Sequence, residues 1–516
     1  MVVNDKVAES RFGVGDGRLN RHPRTSAILR VLAALCLLIL SACQPAPLPS
    51  PSPILDLSSP TPSPTAPSSI SNPQSTRPFY LPGELVDYVA QSGDTLPALA
   101  VHFNTTVEEI LAANSFIPKD ATTMPPGMPM KIPIYYLPLW GTPYQILPDS
   151  LFINGPAQIG FDVRAFIADH PGWLKDSSDL SGGFSRSGAE IVEIVARNFS
   201  VSPRLLLALL EYQSGALSQP TPPPADQPYI LGYVDRAHQG LNLQLVWAAN
   251  TLNNGYYGYR SGELTTLTRQ DGSIEHPDPW QNAATVALQY YFSLLLPPRD
   301  YPQAVEAEGF AKTYRDLFGD PWQADQPHLP GSLTQPEMKL PFAAGESWAL
   351  TGGPHTGWGV GPPWAALDFA PPSVVGGCAP SEQWVTAIAS GKVIRSEPGV
   401  VVLDLDADGE ERSGWTIFYL HVGSEGRAPV GAQLETGAPL GHPSCEGGSS
   451  TGTHVHITRK YNGEWMPAAG ILPFDLEGWV AYNGAEAYKG GMKRYARTVV
   501  ACVCSNAASQ IQAGER

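Results

Sequence analysis

Cys445-Glu446-Gly447-Gly448-Ser449-Ser450-Thr451-Gly452-Thr453-His454-Val455-His456-Ile457 is a Gly/Ser loop running into a strand. Successive strand residues point to opposite faces, so His454 and His456 share one face while Val455 and Ile457 share the other. Two imidazoles therefore meet in one cleft. Upstream, Phe418-Tyr419-Leu420-His421 lies in an apolar run that reads as another strand, and alternation puts Tyr419 and His421 on one face, opposite Phe418 and Leu420. Earlier still come Gly352-Gly353-Pro354-His355 and Trp364-Ala365-Ala366-Leu367-Asp368-Phe369. Zinc is usually tetrahedral, and a catalytic site gives it three protein ligands and leaves one position for water. His355, Asp368 and His456 are the expected ligands, for one Zn²⁺ per chain. Two neutral imidazoles and one carboxylate leave a net positive site, which lowers the pKa of a bound water from ~16 towards ~7. His421 and His454 are left without metal and are expected to act on protons and developing charge, one accepting and the other donating, with the division of roles open. The chain has no His-Glu-x-x-His, so a glutamate-based zinc mechanism has no support.

These motifs resemble the lysostaphin-type zinc metalloendopeptidases, specifically their β-lytic subgroup. The matching parts are Gly-Gly-Pro-His, the long spacing to Leu-Asp-Phe, and Cys-Glu-Gly-Gly-Ser-Ser-Thr-Gly before His-x-His. In the commoner form of that family the first His stands four positions before the Asp, where this chain has Trp364, so His355 is carried over from the β-lytic pattern. The resemblance covers about Leu340 to Pro473. It implies an antiparallel β-sheet with the site in a narrow groove, and hydrolysis of cross-bridge or stem peptides of peptidoglycan. The competing readings are a catalytically inactive glycan-binding scaffold and an activator of another cell-wall hydrolase. Intact candidate ligands favour the hydrolase.

At the other end of the chain, Arg21, Arg24 and Arg30 precede an apolar run from Val31 to Leu40, followed by Ser41-Ala42-Cys43. That pattern is an export signal, too short to span a bilayer. Small residues before a Cys resemble the bacterial lipobox, which implies lipidation of Cys43 and a membrane anchor in the extracytoplasmic cell envelope. Gln44 to about Pro82 is rich in Pro, Ser and Thr and nearly uncharged, so it reads as an extended tether.

Tyr88-Val89-Ala90-Gln91-Ser92-Gly93-Asp94-Thr95-Leu96 predicts a short strand and a turn. Leu99, Ala100 and Phe103 continue with helical spacing, Val107, Ile110 and Leu111 mark a second helix, and Lys131 to Ile134 closes as a strand. This βααβ unit resembles a lysin motif. The resemblance implies binding of N-acetylglucosamine-containing glycan, with contacts at Gly93, Asp94, Thr95, Leu96 and the loop from Asn114.

Long helical patterns follow at Ala189 to Phe199, Pro203 to Tyr212, Leu241 to Leu252 and Trp280 to Leu296. Leu205 to Gly215, followed by Gly240-Leu241-Asn242-Leu243-Gln244, is similar to the lysozyme-like core of lytic transglycosylases. That family places its catalytic Glu directly before the Ser, where this chain has Gln213, an amide that cannot serve as a general acid. Glu211 is two positions away and faces roughly 200° round the helix. The segment is expected to bind glycan or pack, without glycosidase chemistry.

The 48 acidic and 32 basic residues give a formal charge of -16, which argues against nucleic acid as a partner because phosphate neutralisation needs clustered Lys and Arg. The expected class is a multidomain α+β protein. Its parts are a signal at 1–43, a linker at 44–82, a lysin motif at 83–135, a helical lysozyme-like domain at 150–325, a β-sheet peptidase domain at 336–480 and a tail at 481–516. With Cys36 and Cys43 set aside, Cys378, Cys445, Cys502 and Cys504 allow three complete pairings. An oxidising compartment favours disulfides, with Cys378–Cys445 preferred and Cys502 and Cys504 unassigned. Asp404, Asp406, Asp408 and Gly409 begin like a calcium loop, but Trp415 stands where such a loop needs Glu, so an Asp-Gly hairpin turn is expected. His442 in Gly-His-Pro reads as a surface turn.

Overall fold

The computed structural model describes residues 79–516 apart from 138–139, 225–226, 374, 505 and 516. The export signal, Cys43 and nearly all of the tether lie outside the described residues. Among the described residues no helix is long and apolar enough to cross a membrane.

The first part is a βααβ unit. Strand β1 (Glu84–Val89) pairs antiparallel with β2 (Pro129–Ile134), and helices α1 (Leu96–His102) and α2 (Val107–Ala113) lie between them in sequence. Local chemistry starts both helices. The Thr95 and Thr106 hydroxyls accept the backbone N–H groups of Ala98 and Glu109, satisfying donors that a first helical turn leaves free. Tyr88, Leu99, Phe103, Ile110 and Ile132 form its small core.

A helical part follows, built on α3 (Gly188–Phe199), α4 (Pro203–Ser214), α5 (Leu241–Arg260) and α6 (Ala283–Leu295). Ser187 and Glu190 make a reciprocal capping box at the start of α3. Ser202 caps α4, which has Pro in its first turn and ends on Gly215 in the left-handed conformation.

The third part is a nine-stranded antiparallel sheet. Its strands are β3 (Ser347–His355), β4 (Ala366–Ala370), β5 (Gly391–Glu397), β6 (Gly399–Asp404), β7 (Trp415–Val422), β8 (Gln433–Leu434), β9 (Val455–Tyr461), β10 (Glu464–Trp465) and β11 (Gln510–Gln512). They run in the order β8-β5-β6-β7-β9-β4-β3-β11, with β10 paired to β9. A four-stranded meander from Asp475 to Val500 packs beside it. Residues 481–516 are therefore no tail. They complete the meander and supply the strand that covers the edge of β3.

The two faces of the large sheet have different partners. Trp348, Phe369, Ile417, Tyr419, Val455 and Ile457 form one core with Trp479 of the meander. On the opposite face Val400, Val402, Phe418, Leu420 and Trp465 join the core of the helical part. Each such side chain contributes about 1.5–3 kcal/mol on burial, so this strip fastens helices to sheet.

A buried polar cluster ties all three parts together. The Glu464 carboxylate on β10 accepts from Arg260 (3.0 Å) and Tyr256 (3.0 Å) on α5, and His328 Nε2 lies 2.6 Å from it. Arg260 also donates to the Ser92 carbonyl of the βααβ unit and lies 3.5 Å from Asp149. Burial alone would raise the Glu464 pKa, but Arg260 and His328 outweigh it and hold the carboxyl down at about 2.

Candidate metal centre

Register places the candidate ligands. His456 on β9 lies opposite Asp368 on β4, and Asp368 lies opposite Gly352 on β3, so one line of pairing crosses three strands. A Cβ at Gly352 would sit 2.3 Å from Asp368 Oδ2, and one at Gly353 would sit 2.4 Å from the Lys489 carbonyl. The Gly-Gly pair is thus what lets the carboxylate and the meander close on β3. A register shift after Gly352 then carries His355 round to the same spot.

His355 Nε2 and His456 Nδ1 lie 3.3 and 3.2 Å from Asp368 Oδ1, and 3.0 Å from each other. All three residues are buried. The remaining nitrogen of each ring has its own partner: His355 Nδ1–H donates to the Gly353 carbonyl (2.8 Å) and His456 Nε2–H to that of Gly357 (3.2 Å). Those bonds fix the tautomers, so both inward nitrogens present lone pairs. Asp368 Oδ1 has no hydrogen-bond donor. Three electron-pair donors converging with no proton between them repel one another unless a cation joins them, and this N₂O set matches zinc chemistry.

His454 and His421 border the same space. His454 Nδ1–H donates to the Gly452 carbonyl (2.8 Å), and its Nε2 lies 3.7 Å from Asp368 Oδ1. His421 Nδ1–H donates to the Glu446 carbonyl (2.9 Å), and its ring centroid lies 4.5 Å from that of His454. Strict alternation put His421 on the face of Tyr419, and this is corrected by the backbone. Tyr419 is buried in the sheet core, where its hydroxyl accepts the Ile388 N–H. His421 has φ +64°, and that left-handed residue swings its ring to the metal side. Burial, followed by the neighbouring His454 and His456, pushes the His421 pKa down to about 3.

Two loops hold the rim. The Cys378–Cys445 disulfide joins the segment after β4 to the glycine-rich loop before β9, where Thr453 N–H donates to Gly377 (3.0 Å). Cys502 and Cys504 form a second disulfide. The loop after His355 docks on α5, where Val360 N–H donates to the Asn250 side chain at 2.7 Å. A residue with no sequence motif also reaches the site. Tyr488, half exposed and at φ +68°, stacks on His355 with centroids 4.1 Å apart. Its only sequence cue is the Gly490-Gly491 pair that follows.

Other candidate residues have structural places. Gly93 is buried beneath Arg260 and Leu329. The Asp94 carboxylate accepts from Tyr88 (2.7 Å) and from the Gln91 backbone (2.7 Å), and burial raises its pKa to about 6. Thr95 caps α1, Leu96 is buried, and the Asn114 amide bridges Ile110 and Lys131 inside the unit. Of the five expected glycan contacts, Gly93, Leu96 and Asn114 are buried, while Asp94 and Thr95 are half-buried. In the helical part Gln213 donates to the Leu231 carbonyl and accepts from Tyr291, while Glu211 accepts the backbone N–H groups of Leu217 and Ser218. Neither presents a free acid. Asp404 closes its turn by accepting from Gly409 (2.8 Å), and His442 packs on Trp384 and donates to the Gln383 carbonyl.

Residues 145–331 match the LasA N-terminal domain, the segment likened above to lytic transglycosylases, and residues 88–133 match the LysM domain. Protease LasA of Pseudomonas aeruginosa (strain UCBPP-PA14) is 28% identical over 351 residues, covering 63% of this chain and 75% of that protein. Beta-lytic metalloendopeptidase of Lysobacter enzymogenes is 30% identical over 142 residues, 25% of this chain and 71% of that protein. Among solved structures, the M23 metalloprotease pseudoalterin is 26% identical, covers 33% of this chain and 96% of its own, and has a TM-score of 0.28.

Proposed function

This chain belongs to the β-lytic metalloendopeptidase family, and from that premise and its histidine cluster we propose that it hydrolyses peptide bonds of bacterial peptidoglycan in a zinc-dependent reaction. The observation that carries the reading is the convergence of His355 Nε2, His456 Nδ1 and Asp368 Oδ1, with both outer ring nitrogens bound to backbone carbonyls. Zinc held by these three would polarise the scissile carbonyl and acidify a water at neutral pH.

The chain's own residues do the rest. Gly353 and Gly357 carbonyls keep the ligand rings in the correct tautomers. His454 has its Nδ1 proton fixed on Gly452 and its Nε2 near Asp368, so its Nε2 is the atom placed to take a proton from water. His421 is likewise anchored through Nδ1, with its ring centroid 4.5 Å from that of His454. We assign it to the oxyanion or the leaving amine. Tyr488 stacks on the ring of His355.

The LysM domain directs the enzyme to glycan, and the expected lipid on Cys43 with its tether keeps it at the outer side of the membrane. Two disulfides suit that oxidising, extracytoplasmic setting. The test is incubation of the full chain with purified peptidoglycan, with and without a zinc chelator, and mass spectrometry of released fragments. New peptide amines that vanish with chelator and return with zinc are expected. Absence of cleavage by folded, zinc-loaded protein across wall types would transfer the assignment to a scaffold or activator.

A further inference from the structure

A cavity of about 610 Å³ opens at the seam between the helical part and the large sheet. Its walls come from α3, the hairpin of strands Ser178–Ser181 and Phe184–Ser187 that precedes it, the short helix Val163–Ala168, and the β5–β6 turn at Glu397 and Pro398. That turn abuts the catalytic histidines' own loop. A Cβ at Gly399 would lie 2.3 Å from the Gly447 Cα, and one at Gly447 would lie 3.0 Å from the Pro398 carbonyl oxygen. Gly447 follows Glu446, whose carbonyl accepts from His421 Nδ1–H at 2.9 Å. The cavity thus shares a rim with the loop that positions His421. A peptide lying across that loop would have one part at His421 and another in the cavity.

The lining is rich in both charges. Arg164, Arg186 and Arg197 stand among Glu190, Glu193 and Glu397. These groups are not equally occupied. Arg164 donates to both Glu193 oxygens at 3.0–3.3 Å, and Arg197 pairs with Glu397 at 3.0 Å. Glu190 is engaged at the start of α3, where it accepts the Ser187 backbone N–H (2.8 Å) and hydroxyl (2.9 Å), and it lies 3.9 Å from Arg186. Arg186 is therefore the arginine that carboxylates hold most loosely, and its Nε–H, like that of Arg197, is buried without an acceptor. The Phe184 ring, 5.5 Å from its guanidinium carbon, keeps the group in place. A planar, singly charged carboxylate matches a guanidinium fork, and exposed ion pairs such as Arg197–Glu397 are weak enough for a ligand to compete with them. A phosphate dianion would meet three glutamates, and a neutral ligand would leave the buried donors unsatisfied.

We propose that this cavity reads a carboxylate of the peptide substrate, with Arg186 receiving it and Arg197 offering a second buried donor further along α3. The proposal rests on the peptidase reading and narrows its substrate class. Stem peptides carry carboxylates and glycine cross-bridges carry none, so the enzyme selects stem peptides. The helical part, which has no acid for glycosidase chemistry, thereby supplies the specificity residue for the neighbouring sheet.

Calorimetric titration of the zinc-loaded full chain, bearing His454→Ala to stop turnover, tests this with acetylated alanyl-γ-glutamyl-lysyl-alanine and with the same peptide carrying carboxamides in place of its carboxylates. The acidic peptide should bind at least about tenfold more tightly. Arg186→Gln should bring the two within about twofold, and Arg186→Lys, which keeps the charge and loses the fork, should leave an intermediate preference. Glu397→Gln, which removes a competing carboxylate, should tighten the acidic peptide about threefold. An Arg186 with only a structural role would weaken both peptides alike when replaced. Equal affinity of the parent chain for the two peptides would overturn the assignment, as would a preference that survives Arg186→Gln or no binding of the acidic peptide at millimolar concentration. Because no turnover is read, a chain unable to cleave peptidoglycan would still show the preference, and the two readings fail separately.

Discussion

Replacing Glu464 by Gln removes the one carboxylate that meets Arg260, His328 and Tyr256 inside the molecule. The side chain keeps its shape, but Arg260, whose side chain is 12% exposed, is left with Asp149 at 3.5 Å as its nearest remaining carboxylate. Breaking a buried ion pair from one side costs about 3–5 kcal/mol, and the retained amide oxygen puts the expected loss near the low end, about 3 kcal/mol. The pH dependence is more diagnostic. The Glu464 pKa falls from 4.5 unfolded to about 2 folded, a depressed carboxylate, so its contribution is complete above pH 4.5 and is lost as pH falls through 4.5 towards 2. That shift corresponds to about 3 kcal/mol. Urea unfolding of wild type and Glu464→Gln, followed by tryptophan fluorescence from pH 7 to pH 2, should give a constant gap down to about pH 5 and a shrinking one below it. A gap of unchanged size at pH 2.5 would refute the charge argument and leave only packing.

Gly352→Ala puts a methyl 2.3 Å from Asp368 Oδ2 and should displace the carboxylate, lowering zinc affinity measured by competition with a chromophoric chelator at least tenfold while the fold persists by circular dichroism. His421→Gly relieves a left-handed residue and should raise stability by about 1 kcal/mol in thermal unfolding, while kcat falls at least a hundredfold. Asn250→Ala releases the loop that carries the Gly357 carbonyl, and zinc should dissociate about tenfold faster with cleavage chemistry otherwise intact, as a stopped-flow chelator assay would read. Asp94 has the opposite pH sign to Glu464. Burial raises its pKa from 3.8 to about 6, so what it adds to stability is complete below pH 3.8 and is lost as pH rises through 6, and the Asp94→Asn variant should narrow the difference between pH 4 and pH 7 seen in the wild type.

The clustering of His355, Asp368 and His456 was legible because it depends on strand alternation and on short motifs that fix where each side chain falls. His454 and His456 both end beside Asp368 for that reason. His421 was misplaced relative to Tyr419 because one backbone dihedral overrode the alternation, and no residue type announces a left-handed histidine. Tyr488 was invisible for a different cause. It reaches His355 through pairing of the meander with β3, a contact between segments far apart in sequence. The LysM residues illustrate a third limit: spacing identifies a turn at Gly93, but only the arrival of Arg260 from α5 decides whether that turn faces water.

The strip formed by Val400, Val402, Phe418, Leu420 and Trp465 bears on how this enzyme can be re-engineered. A peptidase fragment cut free of its helices would carry a contiguous greasy band beside its catalytic groove, together with a stranded Glu464, and would tend to self-associate. Chimeras that graft such a catalytic unit onto foreign wall-targeting modules must therefore transplant the helices with it or recode that band as polar. The unit of inheritance for this activity is the sheet with its helical cover.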